Sequence, residues 1–349
     1  MRLTIITLAL STVLASAALA GDGTLYVLNK SDASVSPIDT ATGDSASTIP
    51  VGNGPHEAAV SPDGESLVVC NYGQQTPGRT ITVIDTRTGE VRGTMDLREY
   101  HRPHGIAFIP GTNTIVVTSE AEKKLLLIDI VTGEMVATID TDQDISHMVA
   151  VTPDGKRAFV ANIGSGSVSV IDLVGHKLIK SIRTGDGAEG IAVHPSRPEV
   201  WVTNRGQDTV AVINTETLEI ETKIVCPSTP IRVAFTPDGA SAIVSNAQSG
   251  DVAVIDTESR TIRKRISMDE EPVGDGEKQK RLFSDTFGDS PAPVGILIRP
   301  DGAYAYIANT NADVISVLDL NSWTIVGRLR AGHEPDGLAW LESGDHLEP

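Results

Sequence analysis

At 349 residues, with 28 basic against 46 acidic side chains, the chain carries a formal charge of −18 and a pI near 4.8. Such a surface repels phosphate backbones, which disfavours generic nucleic-acid binding. Hydrophobic residues make up 40%, as in an ordinary globular protein, while aromatics are only 4% and Gly and Val are abundant, which suits short, regular strands.

Residues 1–20 read as a signal peptide: Arg2 is a minimal positive start, residues 3–14 form an apolar core, and Ala18-Leu19-Ala20 is an A-x-A cleavage site. That core is too short to span a bilayer comfortably, and no later stretch is long and apolar enough to do so. The expectation is a periplasmic or secreted product beginning at Gly21. From there one grammar recurs. Apolar runs end at Asn29 (LYVLN), Asn71 (LVVCN), Ser119 (IVVTS), Asn162 (AFVAN), Asn204 (VWVTN), Asn246 (AIVSN) and Asn309 (AYIAN). Most are about 42 residues apart, the spacing of a repeat architecture.

Within the copy at 158–199, the Asn-ending run is followed by the alternating run 167–172, a third run at 177–183 and a fourth at 190–193. All have strand length and Val/Ile-rich strand composition, with no helical period. Two turn types recur among the copies. Ser61-Pro62-Asp63-Gly64 and its equivalents at 152–155, 236–239 and 299–302 suit a type I turn, with Pro second and Gly fourth. The Asp-Thr-x-Thr-Gly turns at 39–43 and 85–89 use Asp and Thr to bond nearby backbone N–H groups. These Asp residues are therefore assigned to turns and not to chemistry. Four antiparallel strands repeated about seven times predict an all-β, seven-bladed β-propeller, so that residues 21–349 form one domain despite a length that suggests about two. The first Asn-ending run lacks an inner strand before it. The leftover run at 337–341 is expected to supply that strand, closing the ring and hiding two sheet edges.

The runs LYVLN, AFVAN, VWVTN and AYIAN, followed by SVSVID or AVIDT and then PDG, resemble the YVTN repeat of seven-bladed, YncE-like propellers across residues 25–341. The resemblance implies an exported propeller related to lactonase-like and surface-layer proteins. More distant propellers carry haem or copper at the mouth of the ring. The YncE-like branch includes single-stranded DNA binding, which the acidity of this chain opposes.

Departures from the repeat gather on one face. The copy beginning at Ala242 is expanded over 267–293, and the copy beginning at Leu67 is expanded at 72–79 and 98–102, whereas the PDG and Asp-Thr turns of the other face stay short. Loop elaboration on one side of a rigid scaffold marks a functional face. Aligning the copies places His56, His104, His147, Glu189, Ile231, Val294 and Asp336 at the start of each innermost strand, nearest the axis. Imidazoles and carboxylates in such a ring suit a divalent transition metal, with His56, His104, His147, Glu189 and Asp336 as its expected ligands, or acid–base work on a small molecule. His101, His333, Arg205 and Arg232 are weaker ligand-binding candidates on the same face.

Other signals carry less. Asp269, Glu270, Glu271, Asp275 and Glu277 form an acidic cluster without EF-hand spacing. Gly164-Ser165-Gly166 lacks the Lys-Ser/Thr and following helix of a phosphate loop, and no G-x-S-x-G is present. Cys70 reads as a small buried hydrophobe and Cys226 as lying in an exposed connection, too far apart in the ring for a bridge. The sequence thus predicts an exported, monomeric propeller that binds a small-molecule ligand or a metal at its axial mouth. A metal-assisted, lactonase-like enzyme and a scaffold for a periplasmic protein partner are the alternatives.

Overall fold

The computed structural model describes residues 23–45, 47–268 and 284–343. Seven four-stranded antiparallel sheets surround one axis. We number the blades by their innermost strands: Pro335–Glu342 (blade 1), Pro55–Val60 (2), Pro103–Phe108 (3), Ser146–Val151 (4), Ala188–Val193 (5), Pro230–Phe235 (6) and Pro293–Ile298 (7). Each inner strand touches the next around the ring, and that of blade 7 touches that of blade 1. Closure is as expected: Pro335–Glu342 pairs antiparallel with Gly23–Asn29, joining the two ends of the described chain in one sheet. No helix among the described residues is long and apolar enough to cross a membrane.

The two middle strands of each blade are buried on both faces, which explains their unbroken apolar runs. The core is divided into sectors between neighbouring blades. Phe159 and Val168 of blade 4 pack with Val200 and Ala211 of blade 5, and Tyr306 and Val317 of blade 7 pack with Leu25 and Ile38 of blade 1. The repeated Asn is a structural pin. Asn29 Nδ2 donates to Ser34 Oγ (3.0 Å) and Ser36 Oγ (2.8 Å) in the next strand, while its Oδ1 accepts from Gly332 N (2.9 Å). Turn chemistry accounts for the repeated Asp as well: Asp39 Oδ1 accepts from Ala41 N (2.8 Å) and Thr42 N (3.2 Å), and Asp63 Oδ1 from Glu65 N (3.0 Å). Cys70 is buried as expected. Cys226 is buried too, correcting its placement in an exposed connection: its thiol packs inward and donates to Asn246 Oδ1 (3.4 Å). Neither cysteine is bridged.

One irregularity recurs in all seven blades and positions the mouth. Each inner strand carries a bulge near its start, where two of its residues stand opposite one of the partner strand. In blade 2, Pro55 faces Asn71 and Ala58 faces Val69, leaving His56 and Glu57 against Cys70 alone. The same break occurs at His104, His147, Glu189, Ile231, Val294 and Asp336. A bulge bends the strand and re-aims a side chain, so the seven aligned residues form one axial ring.

Candidate functional site

The backbone beneath this ring is tightly set. A Cβ on Gly105 would stand 2.5 Å from the His147 carbonyl oxygen, and one on Gly337 would stand 2.2 Å from that of His56. Only glycine permits such an approach of adjacent inner strands. Thr118 Oγ1 donates to the same His147 carbonyl (2.6 Å), tying blade 3 to blade 4 directly below the imidazoles.

Above this floor, three histidines from blades 2, 3 and 4 stack in sequence. The ring centres of His56 and His104 are 4.6 Å apart, and those of His104 and His147 are 3.6 Å apart. Tyr72 lies against His56 (4.5 Å) and meets His104 edge-on (5.5 Å). His147 Nδ1 bonds Glu120 Oε1, and the other Glu120 oxygen accepts from the Tyr72 hydroxyl (2.6 Å). His104 is 1% exposed, and neither of its ring nitrogens has a hydrogen-bond partner among the described residues. Ligand atoms of His104, Glu120 and His147 all lie within 4.8 Å of one another, which makes them the candidate metal group among the described residues.

The remaining polar groups are neutralised elsewhere. Asp336 Oδ2 lies 2.7 Å from Lys30 Nζ and 2.9 Å from His56 Nδ1, the latter without hydrogen-bond direction. Glu189 is held by Arg205 (2.9 Å), Arg232 (3.5 Å) and His147 Nε2 (3.6 Å). Arg232 also reaches across the ring to Glu57, 175 positions away in sequence, at 2.8 Å. The five expected metal ligands are therefore not brought together as one group. His104 and His147 stand together with Glu120, Asp336 and His56 belong to the Lys30 pair, and Glu189 is bound by two guanidiniums. His101 pairs with Glu122 (3.0 Å) and His333 with Asp32 (2.7 Å), both outside the cavity lining, whereas Arg205 and Arg232 do line it. The acidic cluster at 269–277 lies outside the described residues.

Titration follows from these contacts. Burial pushes the His56 imidazole down to about 4, helped by Lys30 and opposed by Asp336. Burial and the neighbouring imidazoles His147 and His56 hold His104 well below the ordinary range. Burial would depress His147 too, but the carboxylates of Glu120 and Glu189 overcome it and raise its pKa. For Glu120, burial favours protonation, and His147 together with the Tyr72 hydrogen bond reverses that, leaving the carboxyl below its usual range. Burial raises Glu57 against the pull of Arg232. His104 is thus a neutral imidazole whose one N–H and one lone pair are both buried and unpartnered among the described residues, beside the anionic carboxylate of Glu120. Above the group opens a cavity of about 450 Å³, also lined by Arg102, Ile145 and Ile163.

The sequence matches the family profile described as YNCE-like beta-propeller over residues 3–132 and 112–281. The chain belongs to the YncE-like β-propellers. Among solved structures it is similar to Kuenenia stuttgartiensis hydrazine synthase, with a TM-score of 0.69 and 21% identity over 82% of this chain and 89% of that one. It is also similar to dihydro-heme d1 dehydrogenase NirN in complex with DHE, with a TM-score of 0.63 and 16% identity over 94% and 78% of the two chains. At these identities the likeness is one of fold. No curated protein matches the sequence.

Sequence reasoning missed four residues of the site in this YncE-like propeller. Lys30, Tyr72 and Glu120 each follow the residue that ends a YVTN-like run, the repeat position that Arg205 also occupies. Glu57 follows the axial residue, as Arg232 does. Aligning those two further positions, one column at a time, is the signal that finds them.

The ring is also uneven. Ile231 and Val294 of blades 6 and 7 pack with Ala247, Ala292 and Phe287 in a separate apolar cluster. Phe287 ends a short helical turn, Ser284–Phe287, contributed by the expanded 267–293 segment. Phe287 and Ala292 therefore pack on the apolar side of the mouth.

Proposed function

We propose that this YncE-like propeller holds one divalent transition metal through His104, His147 and Glu120, and receives a small ligand from the mouth above it. The observation that carries this reading is His104, a neutral imidazole buried without a partner for either nitrogen and adjacent to two further ligand groups. Leaving a buried polar group unpaired costs about 1–3 kcal/mol, and metal coordination removes that cost. Two imidazoles and a carboxylate suit zinc, copper, nickel or iron, and three protein ligands leave a further position for an exchangeable one. Tyr72 on Glu120 and Glu189 near His147 act as the outer contacts that orient metal ligands. The same reading has the protein exported, cleaved after Ala20 and monomeric.

The test is metal content after loading with zinc or cobalt and desalting, on exported protein whose intact mass begins at Gly21. Wild type is expected to retain one equivalent, and a His104→Ala, His147→Ala variant to lose affinity by more than about 100-fold, beyond the 10–100-fold typical of losing an outer contact. Substoichiometric metal in the loaded wild type, or equal retention by the variant, contradicts the proposal.

A further inference from the structure

The residue two places before the axial position has a left-handed backbone in every blade, from Gly54 (φ 59°) through to Glu334 (φ 56°). Blades 2 and 5 place glycine there, at Gly54 and Gly187, which is the residue this conformation favours. The other five do not: blades 6, 7 and 1 place Thr229 (φ 59°), Ala292 (φ 51°) and Glu334 (φ 56°), and blades 3 and 4, which carry the two candidate ligand histidines, place Arg102 (φ 55°) and Ile145 (φ 56°). A β-branched residue in this region is a steric outlier. Burial does not offset it, because Ile145 is 42% exposed. Both side chains line the same cavity as His104, Glu120 and His147, and Ile163 extends the apolar wall.

Arg102 differs from the other cations of the mouth. Lys30, Arg205 and Arg232 are each paired with a carboxylate. The Arg102 guanidinium sits 4.6 Å from the centre of the Tyr72 ring and donates to the Gln74 carbonyl (3.1 Å), and among the described residues no carboxylate pairs with it. Tyr72 is itself fixed on Glu120. A stacked, half-buried guanidinium with donors to spare recognises carboxylates and other oxyanions. In a chain of charge −18, an anion is not drawn in by the overall field and needs such a local cation.

We propose that the ligand of the mouth is a small organic anion with an apolar body. Its carboxylate or equivalent head lies at Arg102 and at the exchangeable position of the metal, and its body lies against Ile145 and Ile163. The second contact of the head rests on the metal reading above. The first does not.

The experiment titrates cobalt-loaded protein with acetate and with butyrate, reading the visible cobalt spectrum. Both anions perturb the wild-type spectrum, and butyrate binds about ten-fold tighter for its two additional methylenes. Arg102→Gln weakens both by about ten-fold or more. Ile145→Gly weakens butyrate by about four-fold, the Ile163 wall staying in place, so that its preference over acetate narrows, and raises the melting temperature, because glycine relieves the left-handed strain. All variants retain one cobalt. Unchanged anion binding in Arg102→Gln, or a wild type that does not distinguish butyrate from acetate, overturns the proposal while leaving the metal site standing. Failure of the wild type to load cobalt sinks the metal reading instead. Calorimetry of butyrate on the metal-free protein then decides the rest: Arg102-dependent binding upholds the anion site, and its absence overturns it.

Discussion

Blades 1 to 5 and blades 6 and 7 share one backbone plan at the axis and fill it differently. Both arcs carry the same bulge after the same left-handed residue. On the first arc the bulge presents Asp336, His56, His104, His147 and Glu189, and on the second it presents Ile231 and Val294. The second arc shows that the position is satisfied by aliphatic side chains packed under Phe287. The fold therefore does not require imidazoles or carboxylates there. On the first arc Asp336, His56 and Glu189 are taken up by internal pairs, whereas His104 is buried with no partner among the described residues, and it is this group that the proposed metal accounts for.

Three perturbations sharpen the contrast. The largest concerns the Glu57–Arg232 pair that joins the two arcs across the ring. Arg232→Met leaves the Glu57 carboxylate buried without its cation, and unfolding in denaturant should show a loss of about 3–5 kcal/mol. A loss within about 0.5 kcal/mol would mean that the pair does not brace the ring. Next, Phe287→Ala should cost about 3 kcal/mol through the cavity it leaves over Ile231 and Val294, with zinc affinity unchanged. A fall in zinc affinity of ten-fold or more would show that the arcs are not separable.

The smallest effect is on pH. The folded His56 titrates near 4 and the unfolded one near its ordinary value of about 6.5, so the unfolded state binds the extra proton first. Stability of the metal-free protein is full above about pH 6.5 and declines as pH falls toward 4, with this residue contributing a loss of about 2 kcal/mol between pH 7 and 5. Asp336 works in a different window. Burial would raise its carboxyl, but Lys30 and His56 hold it well below the usual carboxylate range, so its contribution persists until pH falls below about 4. Denaturation curves of wild type and His56→Phe at both pH values measure the first effect. Equal slopes with pH in the two proteins would contradict it.

The blades, the turns and the closing strand were legible in the chain because each depends on local pattern: apolar runs of strand length, Pro-Asp-Gly turns and an unpaired run at each end. The axial ring was legible because repeats of one fold place equivalent residues at equivalent points. Side-chain partnership was not. Glu57 meets Arg232 only because the ring closes with blades 2 and 6 facing each other at this depth, and no local spacing encodes that distance. Lys30 claims Asp336, and Arg205 with Arg232 claims Glu189, so carboxylates that looked free for a metal are already balanced. His101 and His333 carry the same chemistry as the stacked histidines, yet each is drawn to a neighbouring carboxylate at the rim. Glu120, the missing ligand of the candidate metal group, sits one place beyond a strand end, in a repeat position whose other occupants range from Ala247 to Arg205.

The central claim is that His104, His147 and Glu120 form one metal centre, and anomalous diffraction from cobalt-loaded crystals tests it most directly. The account predicts a single strong peak bonded to one nitrogen each of His104 and His147 and to a Glu120 oxygen, at the 2.0–2.2 Å typical of nitrogen and carboxylate ligands. Absence of a peak there after stoichiometric loading, or a peak elsewhere with His104 still unpartnered, would contradict it.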